Sequence, residues 1–192
     1  HSFSRMPSKR NTLPANRKVS PGTSVSRKTS SILPSIGPPR ATRPLLATHS
    51  ACRAVTDIHR NLTDEQLKGI ADLGGVIGVA AAIPPFIDPG KPTPARVVDH
   101  IEHIASVTSI DAVALGPDFV DDLYNEIFGG WEIPADMGTW EASEIRRPSD
   151  LPRITEEMVA RGFSTADISK VLGANALRVI DQVMGIPRPG QA

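Results

Sequence analysis

Three side chains in this sequence could do chemistry, and two of them follow apolar runs. His49 ends the run Pro44–Thr48, Asp118 comes shortly after the run Ala112–Leu115, and Arg60 lies a little beyond His49. Active sites of parallel α/β proteins form at the carboxyl ends of strands. We therefore expect His49 and Asp118 at one rim of a sheet, with Arg60 on the loop that follows the first strand.

The residue types leave alternatives open at each of these positions. His49 could bind zinc through a neutral imidazole, or it could be a partly buried histidine that hydrogen-bonds a loop. Asp118 could be a metal ligand, a proton shuttle or an anchor for a substrate ammonium group, or it could cap the following loop. Arg60 could hold a carboxylate in a bidentate fork, or it could be solvated.

Two further histidines occur three residues apart in a predicted helix. The apolar stripe of that helix runs through Val97, Ile101 and Ile104, which places His100 at its flank and His103 nearly opposite. No third ligand follows at a zinc-binding spacing. We therefore interpret His100 and His103 as part of a solvated helix face.

Strand and helix patterns alternate from residue 44 onward. Thr63 and Gln66 predict a capping box at the start of the first helix, and Thr93 with Pro94 predicts the start of the second. This alternation is typical of a parallel sheet with right-handed crossovers. Three parallel strands leave unpaired edges, so such a piece should need partners, for which a homodimer is one candidate. The predicted strands are 44–48, 76–82 and 112–115, and the predicted later helices are 151–161, 164–172 and 174–184.

The first 43 residues differ sharply from the rest. They contain nine of the 21 Lys and Arg and no acidic residue, which leaves residues 44–192 with a net charge of −9. Residues 1–43 are rich in Ser and Pro, so we predict disorder there. A targeting peptide, a nucleic-acid-binding tail and foreign sequence from a shifted reading frame are the competing origins, and the abrupt change near Arg43 favours the last.

The remaining sequence is divided by the same patterns. Residues 44–185 form the predicted domain and residues 186–192 a frayed tail. The long segment 120–148, with Trp131 and Trp140, is typical of a lid, a binding loop or a disordered segment.

Composition excludes several classes of protein. The single cysteine, Cys52, allows no intrachain disulfide and fits a reducing, cytoplasmic compartment. No apolar stretch approaches the ~20 residues of a membrane span. The acidic predicted domain lacks a stripe of basic and aromatic residues, which argues against a nucleic-acid partner.

Several segments, in order, resemble the renal (membrane) dipeptidase family of zinc peptidases, peptidase family M19. The similarity runs almost continuously from Arg43 to Met184. The segments that carry it are Ala47–Val55, His59–Leu67, Gly74–Val79, Asp99–Ile104, Leu115–Phe119 and Glu156–Val179.

The resemblance implies the C-terminal part of a metal-dependent hydrolase (β/α)8 TIM barrel that cleaves dipeptides with two bridged zinc ions. By position it implies that His49 is a zinc ligand and that Arg60 holds the substrate carboxylate. It also implies that Asp118 is catalytic and contacts the substrate amine and the scissile region.

The chain departs from the family pattern in two ways. The His-x-Asp pair, the bridging glutamate and the substrate-binding histidine of the family have no counterpart, and Pro117 stands where the family has a serine. We therefore expect a truncated and impaired zinc dipeptidase. A non-catalytic remnant that acts as an interaction module is the alternative.

Overall fold

A parallel sheet organises the protein, a computed structural model of which describes residues 41–120 and 142–185. Strands β1 (Leu46–Ser50), β2 (Val76–Val79) and β3 (Val113–Leu115) lie in the order β1-β2-β3, and both pairings are parallel. The predicted α/β class with a parallel sheet is confirmed. The (β/α)8 barrel stays a prediction, because the described ranges contribute three strands.

Helices connect and follow the strands. Between β1 and β2 lies one α-helix, between β2 and β3 lie two, and three α-helices follow β3 in the described residues. They are α1 (Asp64–Asp72), α2 (Pro84–Ile87), α3 (Pro94–Val107), α4 (Pro152–Ala160), α5 (Thr165–Ser169) and α6 (Asn175–Met184). A π-turn, Lys170–Ala174, joins α5 to α6.

Several predictions fall outside the described residues. They concern most of the predicted disordered segment 1–43, the tail 186–192, and Trp131 and Trp140 in the long segment 120–148. Within the described ranges, no helix has the length and apolar character that crossing a membrane requires.

The predicted helix starts are confirmed. The Thr63 hydroxyl accepts the Gln66 N–H at 3.3 Å, while the Gln66 side chain accepts the Thr63 N–H at 3.0 Å. At α3, Thr93 accepts the Arg96 N–H at 3.3 Å, and Pro94 occupies the first turn, where no backbone N–H is needed. These local signals fix where α1 and α3 begin.

The central strand of the sheet is buried, and the pairing of one outer strand is irregular. All four residues of β2 are buried, as expected of a strand with neighbours on both faces. Strand β1 pairs with β2 at Leu46 and Ala47, and its register then shifts before Ser50. A shift of this kind re-aims the side chains within it, and His49 lies inside it.

A charged network on the surface joins α3 to α4. The Arg161 guanidinium lies 2.7 Å from Asp99, 2.8 Å from Glu102 and 2.8 Å from Glu157. Burial alone would raise the pKa of Asp99, but hydrogen bonds from Arg161 and Arg96 outweigh it and lower that pKa. Several charges that share partners hold geometry better than isolated surface pairs do, so this network fixes α4 against α3.

Candidate functional site

Two glycines bring the carboxyl ends of the strands together. A side chain at Gly78 in β2 would overlap the carbonyl oxygen of Thr48, and so would one at Gly116, just after β3. The backbone that leads to Asp118 therefore passes directly against the residue before His49. Glycine is required at such a close approach between backbones.

His49 is exposed at this rim. Its Nδ1 lies 2.9 Å from the hydroxyl of Thr48. Because that hydroxyl occupies Nδ1, the Nε2 atom is the nitrogen that a metal could bind.

Asp118 is held in an unusual backbone conformation. Its φ angle is 59°, and it is the one described non-glycine residue with a positive φ. The Pro117 carbonyl accepts the N–H groups of Ala81 at 3.3 Å and Ala82 at 2.9 Å, which fixes the chain immediately before Asp118. Left-handed conformations of non-glycine residues concentrate at functional sites, where the surrounding structure enforces them.

Arg60 lies on the loop beyond β1, where its guanidinium stacks on an aromatic ring. The guanidinium carbon is 5.2 Å from the centroid of Phe86 in α2, within the range of a cation–π contact. Arg60 itself is exposed. The sequence analysis did not identify Phe86, because Phe86 lies far from Arg60 in the sequence and no local spacing links the two residues.

A buried amide secures the turn that carries Arg60. Asn61 is 2% exposed, and its Nδ2 donates to the carbonyls of Thr56 at 2.9 Å and Phe86 at 2.8 Å. The amide thus ties the Arg60 loop to the segment that carries the Phe86 ring.

His100 is fully buried, so its interpretation as a solvated residue was wrong. Its Nδ1 lies 3.2 Å from the Cys52 backbone nitrogen and 3.0 Å from the Cys52 sulfur, and its Nε2 lies 3.0 Å from the Ile87 carbonyl oxygen. Thr56 donates its hydroxyl to the same carbonyl. His103 is half-buried and lies 2.8 Å from a carboxylate oxygen of Asp64 in α1.

Burial keeps the Cys52 and His100 side chains uncharged. Desolvation lowers the pKa of His100 to about 4 and raises the pKa of the Cys52 thiol to about 12. A catalytic thiolate requires a lowered pKa. Cys52 therefore does not fit a nucleophile, despite the imidazole beside it.

The described residues do not by themselves form a zinc site. Within 41–120 and 142–185, no three side chains of His, Cys, Asp or Glu are grouped so that they could hold a metal ion. Zinc in proteins takes three or four protein ligands. His49 fits one of them, and the described part of the chain does not complete the set.

The chain is similar to known dipeptidases. The family model for membrane dipeptidase, peptidase family M19, matches residues 39–191. An uncharacterised protein encoded in the pqqA 5′ region of Klebsiella pneumoniae is 35% identical over 74% of this chain and 48% of its own length. Dipeptidase ataJ of Aspergillus terreus is 32% identical over 78% of this chain and 33% of its own length.

The chain is also similar to a metallopeptidase of known structure. A metallopeptidase of Rhodobacter sphaeroides, bound to a phosphinate mimic of the dipeptide L-Ala-D-Ala, superposes with a TM-score of 0.58 at 26% identity. That match covers 74% of this chain and 37% of the other. The chain thus spans about a third to a half of the length of the curated relatives it matches.

Proposed function

Because the chain belongs to the membrane dipeptidase family, peptidase family M19, we propose that it supplies the substrate-binding side of a zinc dipeptidase. The observation that supports this most is the backbone contact at Gly116. It joins the strand that carries His49 to the segment that carries Asp118 at the carboxyl rim of a parallel sheet.

Arg60 and Asp118 divide the recognition of a dipeptide between them. Arg60 receives the substrate carboxylate, since a planar guanidinium matches the two carboxylate oxygens, and the Phe86 ring supports it from beneath. Asp118 pairs with the substrate ammonium group beside the scissile bond. A charged partner for each terminus selects dipeptides, because a longer peptide separates its two termini further.

His49 contributes one imidazole to the metal centre of this proposal. The pair of zinc ions is inferred from the family, and the described residues do not complete a set of three or four metal ligands around His49. The residues in hand therefore account for substrate binding and for one metal ligand, and no hydrolytic step is assigned to them alone.

Dipeptide binding by Arg60 can be measured on the chain itself. In NMR titrations, L-Ala-L-Ala and L-Ala-D-Ala should shift the side-chain signals of Arg60 and the backbone signal of Asp118. The amides of the same dipeptides, which lack the carboxylate, should shift Asp118 and leave Arg60 unchanged.

Arg60→Gln is the matched variant, because it keeps much of the side-chain length and removes the charge. It should abolish the difference between a dipeptide and its amide. Equal responses of the wild-type chain to acid and amide would contradict the role of Arg60. Shifts confined to other surfaces would favour the non-catalytic interaction module instead.

A further inference from the structure

The buried imidazole of His100 connects two separate backbone segments. Its Nδ1 accepts the N–H of Cys52, just beyond β1, and its Nε2 meets the carbonyl of Ile87, the last residue of α2. An imidazole that accepts at Nδ1 carries its proton on Nε2, so His100 donates to Ile87. One neutral tautomer satisfies both bonds.

Each of these segments leads directly to the contact between Arg60 and Phe86. Cys52 forms a parallel bridge with Leu62, two residues beyond Arg60, and the Leu62 N–H donates to the Ala51 carbonyl at 2.9 Å. On the other side, Ile87 follows Phe86, whose ring supports the Arg60 guanidinium. His100 therefore links the segment that carries Arg60 to the segment that carries Phe86.

We propose that His100 is the positioning residue for Arg60, fixing the guanidinium over Phe86 so that it can receive a carboxylate. The location of the guanidinium follows from the contacts described above, whereas its use for a carboxylate rests on the proposed function. His100 acts through its contacts with Cys52, Ile87 and Thr56, so it is a positioning residue and not a catalytic residue.

The competing explanation is that His100 merely fills the core. Filling the core would affect the free energy of unfolding, but it would leave Arg60 in place in the molecules that remain folded. Positioning predicts a change in the folded state itself. The two explanations therefore differ in the side-chain signals of Arg60, which feel the ring current of Phe86.

Three substitutions at His100 test its two hydrogen bonds separately. His100→Asn can keep an acceptor near the Cys52 N–H, His100→Gln can keep a donor near the Ile87 carbonyl, and His100→Leu keeps neither. The matched control is His103→Leu, because His103 lies on the same helix and is tied to Asp64 in α1 rather than to the Arg60 loop. Phe86→Leu identifies the part of the Arg60 signal that comes from the ring.

Two readouts are taken on the folded chain. The first is the NMR signal of the Arg60 side chain, and the second is the rate at which a thiol reagent labels Cys52, the single cysteine of the protein. In the wild type this thiol is fully buried, so its labelling reports opening of the loop beyond β1.

His100→Leu should shift the Arg60 signals towards those of Phe86→Leu and raise Cys52 labelling by roughly tenfold or more, as the loss of two hydrogen bonds implies. His100→Asn should retain Cys52 protection better than His100→Gln. His103→Leu should match the wild type in both readouts.

Unchanged Arg60 signals in folded His100→Leu would overturn the proposal. If that variant does not fold, unchanged Arg60 signals in both His100→Asn and His100→Gln would overturn it equally. The titration with dipeptides tests the proposed function and is independent of the test of His100. Displacement of Arg60 in the variants, without any response of wild-type Arg60 to dipeptides, would support positioning by His100 and reject the proposed function.

Discussion

His100 is neutral at pH 7 because burial removes the charged imidazolium from water. The imidazole contacts the Cys52 thiol, the Thr56 hydroxyl and the Ile87 carbonyl, and the charges of Arg96, Asp99 and His103 on α3 act on it as well. The hydrogen bond to Ile87 and the charge of Asp99 favour the charged form, whereas Arg96 and His103 disfavour it. Desolvation exceeds all of them, so the free energy of unfolding should depend on the protonation of this residue.

Acidification from pH 7 to pH 4 should destabilise the fold through His100. A histidine in the unfolded chain titrates near pH 6.5, whereas the folded pKa is about 4. Between these values the unfolded state binds more protons, so the free energy of unfolding falls as the pH falls. The loss approaches ~3 kcal/mol at pH 4.

Urea unfolding at several pH values measures this loss. His100→Asn should show a smaller decline between pH 6.5 and pH 4 than the wild type, because it has no imidazole to protonate. Parallel declines in the two proteins would contradict a buried, neutral His100.

The site residues differ in how far the sequence could reveal them. His49 and Asp118 could be identified as candidates because they follow apolar runs. The end of a strand in a parallel sheet can be predicted from the residues next to it, and active sites form there. Phe86 and His100 could not be identified in this way, since their importance comes from contacts across the chain. His100 lies at the flank of the α3 stripe, and it is buried because α2 and the loop beyond β1 both cover that flank.

Among the elements, the starts of helices were easier to predict than the ends of strands. Thr63 and Thr93 cap α1 and α3 through bonds within a few residues, so their signals are local. The apolar run 76–82 suggested a longer strand than the observed β2, which ends at Val79. The chain leaves the ladder there because Ala81 and Ala82 donate instead to Pro117, a tertiary contact.

The close approach at Gly116 can be tested by comparing an alanine substitution there with one at Gly69, where the surroundings are open. Gly116→Ala should cost about 1–3 kcal/mol of stability, because the added methyl group overlaps the Thr48 carbonyl and must push β3 away from β1. Gly69→Ala, within α1, should raise stability by up to ~1 kcal/mol, since nothing lies within 4 Å of the new methyl group.

Thermal and urea unfolding of the two variants measure this difference. Gly116→Ala should also change the NMR signals of His49 and Asp118, whereas Gly69→Ala should leave them as in the wild type. Equal stability of the two variants would show that the rims of β1 and β3 do not meet at Gly116.

At the scale of the whole molecule, the described sheet has unpaired edges. Leu46 at the start of β1 is 39% exposed, and the chain corresponds to a third to a half of its curated relatives. An unpaired strand edge is a surface for pairing with further strands. The family could be recognised from the sequence because its motifs recur in order, whereas the full set of metal ligands is not contained in the described residues.

Zinc binding by the isolated chain tests this last point. The chain should retain far less than one zinc ion after dialysis, because the described residues do not group the three or four ligands that a zinc ion needs. Hydrolysis of L-Ala-L-Ala and L-Ala-D-Ala should accordingly be undetectable. His49→Ala should lower the residual zinc measured by atomic emission. The far-UV circular dichroism should not change, since His49 is exposed and hydrogen-bonds the adjacent Thr48. Stoichiometric zinc that survives dialysis in both proteins would place the metal elsewhere and would remove His49 from the site.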